Sequence, residues 1–257
     1  MCNSKETNTD KSINEQIKEM FDKNLAGQVI TYDGVVNEEK YNKQDLKIAF
    51  LLKEVNDEDS KGNCSLVEWL GSLKTKYKEN SWENKKEEKS WQQTWLNVCY
   101  WCEILKNLNA KFKDAYDTYN KKITDLLENL DDIAVVNIKK TNGKGSSDYQ
   151  ELEDAIRLYG DATIKEIEEL IQPRLVICCS KDVYYLIQNK INVESKINVE
   201  SKTLDCGTEY FVEKGIYYLK FVHPAWYSVN DNILFAYAKV AFAEILSEIK
   251  NTSCIDK

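Results

Sequence analysis

The sequence predicts a three-layer α/β/α domain with a central parallel sheet of about four strands. Four short apolar runs lack a clean polar alternation, as is typical of strands that are covered on both faces. Helical patterns fill the intervals between these runs, and strands that alternate with helices form parallel sheets with helices on both faces. The four runs are residues 46–52, 133–138, 175–179 and 217–222.

The prolines and the helical patterns mark the ends of these strands. Pro173 lies just before the third strand and Pro224 directly after the fourth, where a missing N–H costs little. Helices are predicted over residues 65–77, 91–108 and 112–130 before the second strand, over 149–158 and 164–171 before the third, and over 232–249 after the fourth.

The length of the chain fits one domain. Its 257 residues can bury a single core, and we expect the domain to span residues 1–257. Two segments, 74–90 and 190–202, have the composition of insertions. The first is highly charged, and the second contains a tandem duplication that reads KINVES in 190–195 and again in 196–201. Loops and hairpin extensions tolerate such additions, so we assign the duplication no chemistry.

The charge of the chain limits its partners. The formal net charge is −8 at pH 7, whereas proteins that coat nucleic acids carry a basic footprint. A local basic groove for DNA is compatible with this charge. No apolar run approaches the roughly 20 residues that a membrane span needs, and residues 1–15 are too polar for a signal peptide. We therefore expect a cytoplasmic protein without a membrane partner.

The eight cysteines do not form a metal-binding pattern. Cys99 and Cys102 make a C-x-x-C in a helical stretch, and Cys178 and Cys179 are adjacent in an apolar strand. Neither pair has a second C-x-x-C at the spacing of a zinc site. We expect packed, reduced thiols, and neither a metal nor a cofactor.

Polar side chains stand at the ends of three of the predicted strands. Glu54 follows the first, Asn137 lies near the end of the second, and His223, the only histidine, follows the fourth. Ligands of open parallel sheets bind at the carboxyl ends of the strands, so we expect these side chains to meet there. Structural alternatives are a loop acid or helix cap for Glu54, a turn-former for Asn137 and an ordinary histidine at His223. A buried amide without partners costs roughly 1–3 kcal/mol, which favours a functional role for Asn137.

The order of these strand ends resembles the uracil-DNA glycosylase superfamily. In that family a first strand ends in glycine, any residue, Asp or Asn, and proline. A later apolar strand ends in Asn, and the last strand ends in His-Pro-Ser. The corresponding segments here read LKEVN at 52–56, AVVN at 134–137 and HPA at 223–225. The resemblance covers residues 46–249 without the two insertions, and it implies a uracil-DNA glycosylase-like fold.

Two departures from the family pattern concern the base pocket. Glu54 takes the place of the family's Asp or Asn and is one methylene longer. Asn56 stands where uracil-specific members have a tyrosine that excludes pyrimidines with a substituent at C5. The resemblance therefore implies a pocket that is open to a 5-substituted pyrimidine, and Asp57 with the acidic residues after it would suit a hydroxylated or sugar-bearing group. Leu52, Val55 and Ala225 replace the motif's glycine, proline and serine.

The resemblance also implies a mechanism. Breaking an N-glycosidic bond builds positive charge on the sugar and negative charge on the base. Glu54 would stabilise the sugar cation or orient a water, and His223, as a neutral imidazole, would donate a hydrogen bond to the base oxygen. Asn137 would read the Watson–Crick edge of a flipped base, because a carboxamide both donates and accepts. Trp226 and Tyr227 would hold the base out of the stack, or they only cover a loop.

Other aromatic and basic residues have two interpretations each. Trp69 could stack on the base, although the helical pattern around it favours the core. Trp91 and Trp95 share one helix face, which again favours the core, and Trp101 lies on another face. Three lysines after the second strand could contact phosphate or stay solvated. They are Lys139, Lys140 and Lys144.

The predicted function is that of a monofunctional DNA glycosylase. It would flip a 5-substituted pyrimidine out of DNA and hydrolyse the glycosidic bond without a metal, in repair or in defence against phages. A plain uracil-DNA glycosylase is one alternative, and an enzyme or binder of free nucleosides or nucleotides is another. A third is a non-catalytic binding module on the same fold. Salt-dependent duplex binding and abasic-site formation distinguish these possibilities.

Overall fold

The computed structural model of the protein describes residues 11–55, 62–78, 89–108, 123–141, 143, 148–225 and 231–253. Its strands are β1 (Thr31–Tyr32), β2 (Gly34–Val35), β3 (Ile48–Leu52), β4 (Cys64–Ser65), β5 (Ile133–Asn137), β6 (Leu175–Cys179), β7 (Lys202–Thr203), β8 (Glu209–Glu213) and β9 (Ile216–Phe221). Its helices are α1 (Ile13–Asn24), α2 (Glu38–Asn42), α3 (Leu66–Lys78), α4 (Lys89–Lys106), α5 (Ile123–Leu127), α6 (Tyr149–Lys165), α7 (Lys181–Ser195) and α8 (Asp231–Ser253).

The central sheet has four parallel strands at its middle. The strand order is β2-β5-β3-β6-β9-β8-β7, and β5, β3, β6 and β9 run parallel to one another. The predicted α/β class and the parallel centre are confirmed. Short antiparallel strands extend the sheet at both edges: β2 beside β5, and β8 and β7 beyond β9. A strand of two residues, such as β2, is too short to produce a periodic pattern in the sequence.

Both faces of the sheet are buried, which makes three layers. Successive strand residues point to opposite faces, so Phe50 faces a core formed with α3, α4, α5 and α8, while Leu51 faces a core formed with α1, α6 and α7. Every residue of β3, β5 and β6 is buried. Burial on both faces explains why these strands read as continuous apolar runs.

Trp101, the third tryptophan of α4, packs in the first of these cores. Trp101 is fully buried; its ring stacks on Phe50 at a centroid distance of 6.3 Å and meets the edge of Phe221 at 4.9 Å. Trp95 is also a core residue, as predicted, and Trp69 packs half-buried against the same core. The side chain of Trp91 lies outside the described side chains.

Helix α7 was absent from the sequence prediction, and it contains the first copy of the duplicated hexapeptide. Residues 190–195 form its last turns, whereas the second copy, 196–201, has no regular secondary structure. The two copies bury different side chains: Ile191 is 2% exposed while Ile197 is 60% exposed. The valines reverse this pattern, with Val193 exposed and Val199 buried. The same six-residue sequence therefore forms part of a helix in one copy and a loop in the other. Only the second copy agrees with the loop predicted from the sequence.

Two other helix predictions differ from the structure. The patterns at 149–158 and 164–171 belong to one continuous segment, in which α6 bends at Tyr159 (φ −138°, ψ 19°) and continues into a π-helical turn, Glu166–Ile171. The pattern at 112–130 is described only from Ile123 onward, where α5 leads into a 3₁₀ turn, Glu128–Asp132.

The topology fixes where a ligand can bind. From β3 the chain passes to β5 on one side of the sheet, and β6 and β9 then follow on the other side. The strand order thus reverses between β3 and β6, and ligands of open α/β sheets bind outside the carboxyl ends at such a point. Glu54 follows β3 at this position.

Candidate functional site

Glu54 lies at the carboxyl end of β3, and one of its carboxylate oxygens makes no hydrogen bond to the described residues. Its Oε2 is buried and has no partner among the described residues. The side chain packs against Gly143, where a β-carbon would be 2.2 Å from Glu54 Cγ. A buried carboxylate oxygen that lacks a donor costs free energy unless a ligand or a water supplies one.

Asn137, the last residue of β5, is 1% exposed. Its side-chain amide Nδ2 donates to Asp33 Oδ2 over 3.1 Å, and its backbone N–H donates to the same oxygen. Its Oδ1 is buried and has no hydrogen-bond partner within the described part of the chain. The free atom of this carboxamide is therefore an acceptor.

The backbone brings Glu54 and Asn137 to neighbouring positions. Leu52 pairs with Asn137 in the parallel register of β3 and β5. Beyond the strands the two chains continue side by side: the N–H of Lys139 donates to the carbonyl of Lys53 over 2.8 Å, and that of Gly143 to the carbonyl of Val55 over 2.9 Å. Glu54 is thus clamped between two backbone hydrogen bonds to the segment that follows Asn137.

His223 follows β9 on the other side of the switch point. Its Nδ1 accepts the backbone N–H of Ala225 at 3.1 Å, so the proton of the neutral ring is on Nε2. Burial, with the nearby charge of Lys53, lowers the pKa of His223 to about 4. The carbonyl of Pro224 accepts from Asn97 Nδ2 of α4 at 2.7 Å, which holds the loop in place. The histidine is thus a neutral donor at neutral pH.

An ion pair connects the strand exits between Glu54 and His223. Lys53 Nζ lies 3.1 Å from Asp182 Oδ2, and Asp182 belongs to the first turn of α7, just after β6. Since neighbouring strands lie about 4.8 Å apart, the β3 and β9 exits are roughly 10 Å apart across β6. The three predicted residues therefore lie along one edge of the sheet, with Glu54 and Asn137 at adjacent strand exits and His223 at the β9 exit, two strands from β3.

A buried charged cluster lies behind Asn137. Lys140 Nζ contacts Asp33 Oδ1 at 2.7 Å and Glu166 Oε2 at 2.6 Å, and all three side chains are at most 1% exposed. Neither interpretation of Lys140 from the sequence is right, because this lysine is neither solvated nor placed to contact phosphate. The cluster combines residues from the β1–β2 connection, the β5 exit and the π-helical turn, which no local sequence pattern could link.

The protonation of this cluster follows from its burial. Burial and the charge of Asp33 raise the pKa of Glu166 well above its usual range, and Lys140 only partly offsets them. Burial lowers the pKa of Lys140, but the charges of Asp33 and Glu166 raise it overall. Burial thus favours the protonated form of Glu166, and the neighbouring carboxylates favour the charged form of Lys140. The backbone N–H of Lys140 also donates to Tyr159 Oη at 2.7 Å.

The remaining predicted residues fall into two groups. Lys139 is an ion-pair partner of Glu151 rather than a free cation. Five residues lie outside the described part of the chain, so their predicted roles stay predictions. They are Asn56, Asp57, Lys144, Trp226 and Tyr227.

The cysteines of α4 and β6 are buried. Cys99 and Cys102 are buried cysteines of α4, and burial raises the pKa of the Cys102 thiol to about 12. Cys178 and Cys179 point to opposite faces of the sheet. Within the described ranges no group of three or more His, Cys, Asp or Glu side chains could hold a metal ion. No helix in those ranges is long and apolar enough to cross a bilayer.

Comparison of the chain with models of known protein families and with curated proteins gave no match. The function is therefore inferred from the geometry of the site.

Proposed function

We propose that this protein is a monofunctional DNA glycosylase that hydrolyses the N-glycosidic bond of a flipped, 5-substituted pyrimidine. The observation that carries the proposal is the grouping at one sheet edge of a carboxylate oxygen and a carboxamide oxygen, both buried without partners among the described residues, and a neutral imidazole. Buried polar atoms are nearly always hydrogen-bonded, so two such oxygens at adjacent strand exits favour a ligand with donors.

Each group suits one part of the reaction. Glu54 would stabilise positive charge on the sugar, or orient the water that attacks it. His223 would donate from Nε2 to the base as it leaves with negative charge, and its low pKa keeps it neutral, so no proton has to move. Asn137 would accept from an N–H of the base through Oδ1.

The preference for a 5-substituted base comes from the sequence. It depends on Asn56 in place of a tyrosine, and the polar residues that follow Glu54 would suit a hydroxylated substituent. We propose further that the enzyme acts in DNA repair or in defence against phages. Its reaction would need neither a metal nor a cofactor.

The experiment is mass spectrometry of bases released from genomic DNAs, both natural and phage-modified, after incubation with the protein. We expect release of a modified pyrimidine and formation of abasic sites. Glu54→Gln should lower the rate by about a hundredfold or more, as is typical when a general base or charge stabiliser is removed. Glu151→Gln is the matched control, because Glu151 is an exposed carboxylate near the same sheet edge.

Other outcomes would support the alternatives. Release of base from free nucleosides but not from DNA would make the protein a nucleoside hydrolase. Salt-dependent DNA binding without release of a base from any DNA would indicate a non-catalytic binding module. The net charge of −8 disfavours tight non-specific binding to DNA, and it fits such a module better than an enzyme that binds DNA tightly.

A further inference from the structure

Asp33 is the only carboxylate, among the described side chains, that the structure shows hydrogen-bonded to Asn137. One of its oxygens, Oδ2, accepts from both the backbone N–H and the side-chain Nδ2 of Asn137. The other, Oδ1, accepts from Lys140 Nζ at 2.7 Å. Since both oxygens are engaged and the residue is 1% exposed, the carboxylate has no room to rotate.

This arrangement determines which atom Asn137 presents to the site. A carboxamide turned by 180° would place its Oδ1 against the Asp33 carboxylate, where two acceptors repel. The carboxylate therefore keeps Nδ2 toward itself and leaves Oδ1 as the free buried atom.

Lys140 holds Asp33 in place within the cluster. Lys140 supplies the counter-charge, and Glu166 contacts Lys140 from the other side at 2.6 Å. Burying such charges is expensive compared with apolar packing, so the cluster is poorly explained as a device for stability alone.

We propose that Asp33 is a positioning residue, which holds the Asn137 carboxamide with its oxygen toward the substrate and so makes this position an obligatory hydrogen-bond acceptor. The expected effect of Asp33 on base release rests on the proposed function, whereas its hydrogen bond to the Asn137 side chain does not depend on that function. Lys140 would act on Asn137 indirectly, because its hydrogen bond holds Asp33 in place.

Asp33→Asn tests the orientation directly. A carboxamide at position 33 has one acceptor oxygen, whereas the carboxylate uses one oxygen for Lys140 and the other for both N–H groups of Asn137. Because Lys140 competes for that single oxygen, Asn137 Nδ2 should lose its acceptor, and its side chain should no longer be held with Oδ1 toward the site.

Glu166→Gln is the matched control. It removes a carboxyl group from the same cluster, but it leaves the Asp33–Lys140 pair and the contact to Asn137 unchanged. Each variant leaves Lys140 one carboxyl partner, which is Glu166 in Asp33→Asn and Asp33 in Glu166→Gln. A purely structural role for the cluster would make the two variants behave alike.

The first measurement is the NMR signal of the Asn137 side-chain amide, which needs no substrate. In the wild type, one amide proton should be shifted downfield and exchange slowly, and Glu166→Gln should keep it so. Asp33→Asn should lose this signature. The wild-type signal can be measured even if Asp33→Asn does not fold, so the proposal can still be tested. A freely exchanging, averaged amide in the wild type would overturn the proposal.

The second measurement is kcat/KM on the DNA that the wild type processes. Asp33→Asn should lower it by about tenfold or more, since a misaligned contact to the reacting group is costly, and Glu166→Gln should leave it within about threefold. Equal losses in both variants would also overturn the proposal. If no DNA yields a base but the amide signature is present, the glycosylase proposal fails while Asp33 keeps its positioning role.

Discussion

Glu54 and Gly143 are in such close contact that residue 143 cannot carry a side chain without moving the carboxylate. A β-carbon there would be 2.2 Å from Cγ and 2.8 Å from Cδ of Glu54. Gly143 is joined to the same loop by the hydrogen bond from its N–H to the carbonyl of Val55. The glycine thus sets where the carboxylate stands, although it contributes no functional group.

Gly143→Ala should therefore displace Glu54 and lower the rate of base release by about tenfold or more. Overpacking of this kind should also cost roughly 1–3 kcal/mol of stability. Kinetics and chemical denaturation on the same protein separate the two effects. Gly71→Ala is the control, because nothing lies within 4 Å of a β-carbon at that position in α3. It should keep the activity and stabilise the protein by up to about 1 kcal/mol.

His223 should titrate far below an ordinary histidine. Burial, with the charge of Lys53, lowers its pKa from 6.5 to about 4. NMR can follow it without ambiguity, because it is the only histidine of the chain. Lys53→Gln should raise this pKa, whereas Lys139→Gln, which removes a lysine paired with Glu151, should leave it unchanged. A wild-type pKa close to 6.5 would remove the basis for a neutral donor.

The same histidine makes stability depend on pH. Between pH 4 and 6.5 the unfolded chain binds a proton at this position and the native protein does not. Stability should therefore rise with pH across this window, by up to about 1.4 kcal/mol per pH unit, and be lost as the pH falls through it. Denaturation of wild type and His223→Gln at several pH values isolates the contribution, which should be absent from the variant.

Glu166 should give the opposite dependence at higher pH. Burial and Asp33 raise its pKa above the ordinary 4.5. Above pH 4.5 the unfolded chain releases this proton and the native protein keeps it, so stability should fall as the pH rises, until the native group also ionises. Glu166→Gln should remove this decline, whereas Glu169→Gln, an exposed neighbour, should not. Parallel pH profiles for the wild type and Glu166→Gln would show that Glu166 is ionised in the native protein.

The identity of residue 56 should set the choice of base. Asn56→Tyr would place a ring where a C5 substituent has to fit, and overpacking of this kind costs about 1–3 kcal/mol or more. We expect the wild type to release 5-substituted pyrimidines from matched oligonucleotides faster than uracil, and the variant to reverse this order. A wild type that prefers uracil, or a variant that still accepts the bulky base, would contradict the predicted role of Asn56.

Much of the site followed from strand order and the carboxyl-end rule. Glu54, Asn137 and His223 each come directly after or at the end of a run that forms a parallel strand, and local patterns identify such runs. The contact between Lys140 and Asp33 lies beyond any such pattern, because the residues are 107 positions apart. Lys140 follows Lys139 in a polar segment, and nothing local distinguishes the fully buried lysine from its partly buried neighbour.

The sequence by itself determined the α/β class, the four parallel strands and the residues that leave them, because burial on both faces imposes an apolar run of limited length. The tertiary structure alone decided that Asn137 presents an oxygen, that His223 is neutral and that Lys140 is buried in a charged cluster. Hydrogen-bond orientation and protonation depend on which distant groups surround a side chain. The duplicated KINVES segment shows the same limit, since identical residues form a helix in one copy and an irregular loop in the other.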